Sequence, residues 1–145
     1  MEILCVTKDE YAELAEVWET SVRATHHFLT EADIQFFKPL ILNQYLAAVE
    51  LRCVKNRSGK IRGFIGVSEG NIEMLFIAPE SRGKGVGKTL ANYAIKKLGV
   101  TKVDVNEQNP DAKGFYEHMG FKVTRRSPLD NTGKPYPILH MKLQS

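Results

Sequence analysis

Residues 83–87 read Gly-Lys-Gly-Val-Gly, three glycines at alternate positions, with Arg82 and Lys88 on either side. An apolar run, Ile72 to Ile77, precedes them, and Val86, Leu90, Ala91, Ala94, Ile95 and Leu98 follow at helical spacing. This strand–turn–helix junction constrains the chain more than any other feature. Glycine permits φ > 0 and lets backbone N–H groups come close to a ligand. A helix opening at such a turn aims unpaired N–H groups and the positive end of its dipole into the same space. With Arg82, Lys84 and Lys88 around it, the turn is a seat for phosphate.

Two common phosphate-binding patterns miss by one residue each. The P-loop, G-x-x-x-x-G-K-[ST], fits at Gly87-Lys88-Thr89 but puts Arg82 where its first glycine belongs. The dinucleotide fingerprint, G-x-G-x-x-G/A, fits Gly85 and Gly87 but ends on Leu90. Spacing therefore disfavours ATP and NAD, and a nucleotide-binding regulator would need the failed P-loop.

The remaining chain supplies alternating helix and strand signals. Residues 1–6 predict a strand. Thr7 and Glu10 fit a capping box, and Tyr11, Leu14, Ala15, Trp18 and Val22 form one stripe of a helix reaching about residue 24. A second helix starts at Thr30 and runs to about residue 48, with Pro39 inside it as a kink or split. Residues 49–55, 61–68 and 72–77 read as strands joined by short turns, hence antiparallel. The helix from Val86 ends at Gly99, and the strand at 101–106 closes a βαβ unit whose strands run parallel. Asn109-Pro110-Asp111 opens a helix to about Met119: cap, proline at the first position, acidic first turn. Strands at 121–126 and 138–143 flank a loop at 127–137 with three prolines.

At 145 residues the chain reads as one domain, 1–145, able to bury about two-thirds of its unfolded surface. Cys5 and Cys53 lie in apolar runs and form no C-x-x-C, so both are expected to be buried free thiols in a reducing cytoplasm. No apolar run reaches the roughly 18–20 residues of a membrane span, and no signal peptide is read. A net charge of +3, spread along the chain, argues against a nucleic-acid partner. His26 and His27 have no metal-ligand partners at useful spacing, so no metal is expected. Nothing sets the oligomeric state, and a homodimer stays open.

Three segments carry a resemblance that spans essentially the whole chain: Leu75–Gly87 (L-F-I-A-P-E-S-R-G-K-G-V-G), Val103–Asn109 (V-D-V-N-E-Q-N) and Ala112–Phe121 (A-K-G-F-Y-E-H-M-G-F). The first contains [Q/R]-x-x-G-x-[G/A] at Arg82–Gly87, the second and third follow at the expected order and spacing, and together they resemble the GNAT superfamily of N-acetyltransferases. The resemblance implies an α/β (α+β) fold: a mixed, mostly antiparallel seven-stranded sheet flanked by about four helices, with a central parallel pair that splays to hold the cosubstrate. It implies an acetyl-CoA-dependent N-acetyltransferase acting directly on a primary amine, a protein lysine or N-terminus or a small amine, in a ternary complex. A non-catalytic acyl-CoA sensor on the same fold is the alternative. Backbone groups of Leu75, Phe76 and Ile77 are then expected to bind pantetheine. Arg82, Gly83, Lys84, Gly85, Val86, Gly87 and Lys88 are expected to hold the pyrophosphate, and Asn109 to bond the pantetheine besides capping its helix. Tyr116 corresponds to the family's proton donor to the departing thiolate. Asp104 and Glu73, the latter expected on the same strand face as Leu75 and Ile77, are the candidate bases. His26, His27, Phe28 and Tyr136 are expected at the acceptor site.

Overall fold

A computed structural model describes residues 1–144. Seven strands form one sheet in the order β1-β2-β3-β4-β5-β7-β6: β1 Leu4–Cys5, β2 Glu50–Lys55, β3 Ile61–Ser68, β4 Asn71–Ile77, β5 Lys102–Asn106, β6 Phe121–Ser127 and β7 Ile138–Leu143. Neighbours are antiparallel except β4 and β5. The α-helices are α1 Tyr11–Thr25, α2 Glu31–Leu40, α3 Val86–Lys97 and α4 Pro110–His118.

Local chemistry sets the helix ends. Thr7 N–H donates to Glu10 Oε1 at 2.9 Å ahead of α1. Thr30 Oγ1 and the Asp33 carboxylate exchange bonds with each other's backbone N–H at 3.1 Å to open α2. Pro39 has no N–H to return to the preceding turn. The α-helix stops one residue later, and the chain continues as a wider π-helical turn, Ile41–Tyr45.

The sheet separates two apolar layers. On one face α3 and α4 bury Val86, Leu90, Ala94 and Tyr116 against Ile65, Ile72, Val103, Val105 and Met141. On the other, α1 and α2 bury Leu14, Trp18, Val22 and Ile34 against Cys53, Phe64 and Met74. Each Val, Leu, Ile, Phe or Met among them contributes roughly 1.5–3 kcal/mol when taken from water.

Two irregularities make the site. The β4–β5 ladder holds only at Asn71↔Lys102 and Ile72↔Val103, and the strands part beyond it. The β3–β4 register passes from Val67↔Ile72 to Gly66↔Met74, so Glu73 is an extra residue, a bulge. The bulge shifts the alternation by one: Ile72 packs in the α3–α4 layer, Met74 in the α1–α2 layer. Glu73 is therefore not on the face of Leu75 and Ile77, contrary to the even alternation expected. Two further expectations are corrected. Cys5 is exposed, because β1 spans only two residues at the sheet edge, while Cys53 is buried. Strand β6 extends through Ser127. No described helix is long and apolar enough to cross a membrane.

Candidate active site

Beyond Ile72, β4 has no strand on its β5 side, so backbone polar groups there face a gap. Buried backbone N–H and C=O groups need partners. An extended amide-bearing ligand would meet that need as an added strand. The gap widens into a groove of about 290 Å³. Leu75, Phe76 and Ile77 form one wall, and Asn109, Ala112, Phe115 and Tyr116 of α4 the other.

The glycine turn closes the far end through Arg82, Gly83, Gly85, Val86, Gly87 and Lys88. Gly83 and Gly85 have φ of 73° and 83°, the left-handed region that a side chain resists. Gly85 is also the N-cap of α3, and no side chain caps that helix. Its first-turn N–H groups have no intrahelical partner and point into the groove's end. Arg82 and Lys88 add positive charge, whereas Lys84 is exposed and outside the lining. A diphosphate fits this end by charge and by donor geometry.

Tyr116 is buried, 6% exposed, its ring edge-on to Phe115 and Phe121. Burial pushes its hydroxyl well above the usual phenol range. Asn109 caps α4, its Oδ1 accepting the Ala112 N–H at 3.2 Å. Its Nδ2 lies 3.2 Å from His26 Nε2, and His26 ends α1.

His26 begins an aromatic chain over the mouth. Its ring centroid lies 6.3 Å from Phe76 and 5.4 Å from Phe28, which is 5.5 Å from Tyr136. The Tyr136 hydroxyl donates to Asp33, which also pairs with Lys134 at 3.2 Å. The Tyr136 hydrogen bond chiefly holds the Asp33 carboxyl down at about 2, and Asp33 in turn pushes Tyr136 up to about 12. Loop 128–137 is thus fastened to the start of α2. His27, by contrast, is exposed and outside the groove.

Neither Asp104 nor Glu73 lines the groove. Both line a second, polar cavity of about 400 Å³ with Asn71, Arg125 and His140. Asp104 Oδ1 is 2.7 Å from His140 Nδ1, and His140 Nε2 is 2.7 Å from Ser127 Oγ. Glu73 makes no ion pair among the described residues.

The sequence reading missed Ser21, Thr25, Ser81 and Phe115 in the groove, and Asp33 behind Tyr136. Ser21 and Thr25 carry a faint signal, polar residues four apart at the end of an apolar helix stripe. His140 carries none.

A parallel strand pair that parts beside an uncapped, glycine-turned helix start is the frame of an acyl-CoA-dependent N-acetyltransferase. The family model described as an acetyltransferase (GNAT) domain matches residues 13–144, and the chain belongs to that family. Peptidyl-lysine N-acetyltransferase YjaB of Salmonella typhimurium is 38% identical over 133 residues, covering 92% of this chain and 91% of that protein. The solution structure of apo-form YjaB from Escherichia coli superposes with a TM-score of 0.88 at 38% identity, over 97% of this chain and 95% of that one. The PaiA N-acetyltransferase of Thermoplasma acidophilum, solved in complex with coenzyme A, shares the fold, with a TM-score of 0.73 at 22% identity over 99% and 98% of the two chains.

Proposed function

We propose that this chain moves the acetyl group of acetyl-CoA directly to the side-chain amine of lysine in a protein or peptide. One observation carries the reading: the parted edge of β4, the uncapped start of α3 and the ring of Tyr116 meet in a single groove. Backbone groups of Leu75, Phe76 and Ile77 take the pantetheine amides, and an N–H near Ile77 faces the thioester oxygen. Such a donor is worth roughly 3–4 kcal/mol in other acyl-transfer enzymes. The N–H groups from Gly83 to Lys88 hold the diphosphate, with Arg82 and Lys88 screening its charge. The lysine acceptor follows YjaB of Salmonella typhimurium, whose name specifies peptidyl-lysine and which matches nearly the whole chain. The acceptor enters between residues 26–28 and loop 128–137, past His26, Phe28 and Tyr136, with His27 on the outer rim.

A lysine amine, with a pKa of about 10.4, is neutral about once in 2,500 molecules at pH 7, so supplying the free amine costs about 4.6 kcal/mol. Glu73, which makes no ion pair among the described residues, opens on the second cavity rather than the groove, so it takes that proton only through a chain of water. Asp104 is committed to His140 and acts only through it. The amine attacks the thioester carbon, the tetrahedral oxyanion rests on the β4 N–H, and the sulfur leaves hydrogen-bonded to the Tyr116 hydroxyl. No cysteine lines the groove, which favours direct transfer over a thioester-linked enzyme.

Thiol release from acetyl-CoA across a panel of lysine peptides, N-terminal amines, polyamines and amino acids tests the reading. The expected outcome is turnover on lysine peptides, with Tyr116→Phe at least about ten-fold slower, the effect of one hydrogen bond to the charge building on sulfur, and with acetyl-CoA affinity nearly unchanged. Acetyl-CoA binding with no turnover on any amine would instead support an acyl-CoA sensor.

A further inference from the structure

Ser21, Thr25 and His26 reach the groove from α1, and their hydrogen bonds fix more than a contact. Thr25 Oγ1 lies 2.9 Å from the Ser21 carbonyl oxygen and 2.8 Å from His26 Nδ1. A hydroxyl has one proton, and a carbonyl only accepts. The Thr25 proton therefore goes to Ser21, which leaves Oγ1 as acceptor for a proton on His26 Nδ1. At the other side of the ring, Asn109 turns its Oδ1 to the Ala112 N–H at 3.2 Å. Its NH2 group is then what faces His26 Nε2 at 3.2 Å. A carboxamide N–H only donates, so Nε2 presents its lone pair.

Both ends of the chain demand one tautomer, with the proton on Nδ1 and none on Nε2. The surroundings favour the neutral ring. Burial, then Arg82, then His27 push His26 down to about 4. Asp111, Lys88 and Tyr116 are the other titratable groups lining the groove.

We propose that His26 is a positioning residue for acetyl transfer: its Nε2 lone pair holds the Asn109 carboxamide N–H and joins the end of α1 to the start of α4 across the cleft. The proposal rests on the reading of the groove as the acetyl-CoA site. The linked residues are 83 apart in sequence, and the bond sets the orientation of the Asn109 amide toward the pantetheine path. It also brings His26 beside Phe76 at the acceptor mouth. The ring is not the proton acceptor of the reaction. Taking a proton from an alkylammonium, with a pKa of about 10.4, is uphill by about six powers of ten for so weak a base.

Two measurements test this. In the first, wild-type protein labelled with ¹⁵N is examined at pH 7 by two-bond ¹H–¹⁵N correlation of the histidine rings, His26 being identified by its loss in His26→Gln. The Nδ1–H tautomer is expected, and an Nε2–H tautomer overturns the proposal. In the second, KM for acetyl-CoA and kcat are compared in wild type, His26→Leu and His26→Gln. His26→Leu raises KM by about ten-fold, the loss of one hydrogen bond in the cleft, with a smaller change in kcat. His26→Gln, whose Oε1 can accept the same N–H, recovers most of it. An unchanged KM in a folded His26→Leu variant overturns the proposal, and so does failure of the glutamine to recover any of the loss. Should the leucine variant not fold, the tautomer measured in the wild type decides alone. Failure of the wild type to bind acetyl-CoA would instead sink the reading of the groove.

Discussion

Burial moves the pKa values of two side chains in the groove in opposite directions, each further toward the neutral form. Tyr116 stays a phenol, because a buried phenolate lacks solvation. Even a free tyrosine, at about 10 against about 8.5 for a thiol, would give up its proton to a thiolate only at a cost of roughly 2 kcal/mol. Burial raises that cost. In the proposed transfer the hydroxyl would therefore serve by donating a hydrogen bond as charge builds on sulfur, with solvent completing the proton transfer later. His26 stays neutral for the same reason, and this couples it to stability. Its folded pKa of about 4 lies below the ordinary 6.5. Between those values the unfolded chain binds more protons than the folded one, so stability falls as pH falls through that window and is unaffected above it. The full effect is at most about 3 kcal/mol. Asp33 and Glu31, both held at about 2, lose their contribution only at lower pH. Urea midpoints measured from pH 7 to pH 5 are expected to drop in the wild type and to stay nearly level in His26→Gln. Equal slopes in the two proteins would contradict the assignment.

At the scale of elements, α4 is fixed by one residue with two bonds. Asn109 satisfies an orphan N–H of the first turn and reaches back to His26. Losing a cap costs about 1 kcal/mol, and aspartate caps as well as asparagine does. Asn109→Ala, which loses both the cap and the bond to His26, is thus expected to lower stability by about 2 kcal/mol in denaturant melts, and Asn109→Asp, which keeps the cap, to lower it by less. Both variants lack the amide N–H, so both are expected to bind acetyl-CoA more weakly by titration calorimetry. An aspartate variant with wild-type affinity would show that the cap alone matters. The parting of β4 and β5 has a comparable local cause. One extra residue, Glu73, breaks the even pairing of β4 with β3 just past the last β4–β5 pair, so the bulge and the gap begin together.

Across the whole molecule, what was legible in the sequence was local. Gly83, Gly85, the Asn109-Pro110 helix start and Tyr116 state their geometry within a few residues, and the structure gathers Leu75–Ile77, Arg82–Gly83, Gly85–Lys88, Asn109 and Tyr116 into one groove. The antiparallel run β2-β3-β4 followed from turn lengths and the parallel β4–β5 pair from one crossover, whereas the places of β1 beside β2 and of β7 between β5 and β6 are set by pairings that neither signal encodes. What stayed hidden depends on chain separation. The His26–Asn109 bond spans 83 residues and the Tyr136–Asp33 bond 103, and no periodicity encodes either. The bulge was hidden for another reason: the apolar run Met74–Ile77 looks the same with or without a slipped register. This moved Glu73 off the expected face, and the alternation of β5, which packs Val103 and Val105 under α3 and α4, turns Asp104 to the second cavity, so the base is the part of the site that sequence placed least well. The central claim is that both substrates meet in this groove and the acetyl group passes between them without resting on the protein. Initial rates measured while varying acetyl-CoA against a lysine peptide test it most directly. Double-reciprocal lines that intersect are predicted, whereas parallel lines, the mark of a covalent acyl-enzyme, would contradict it.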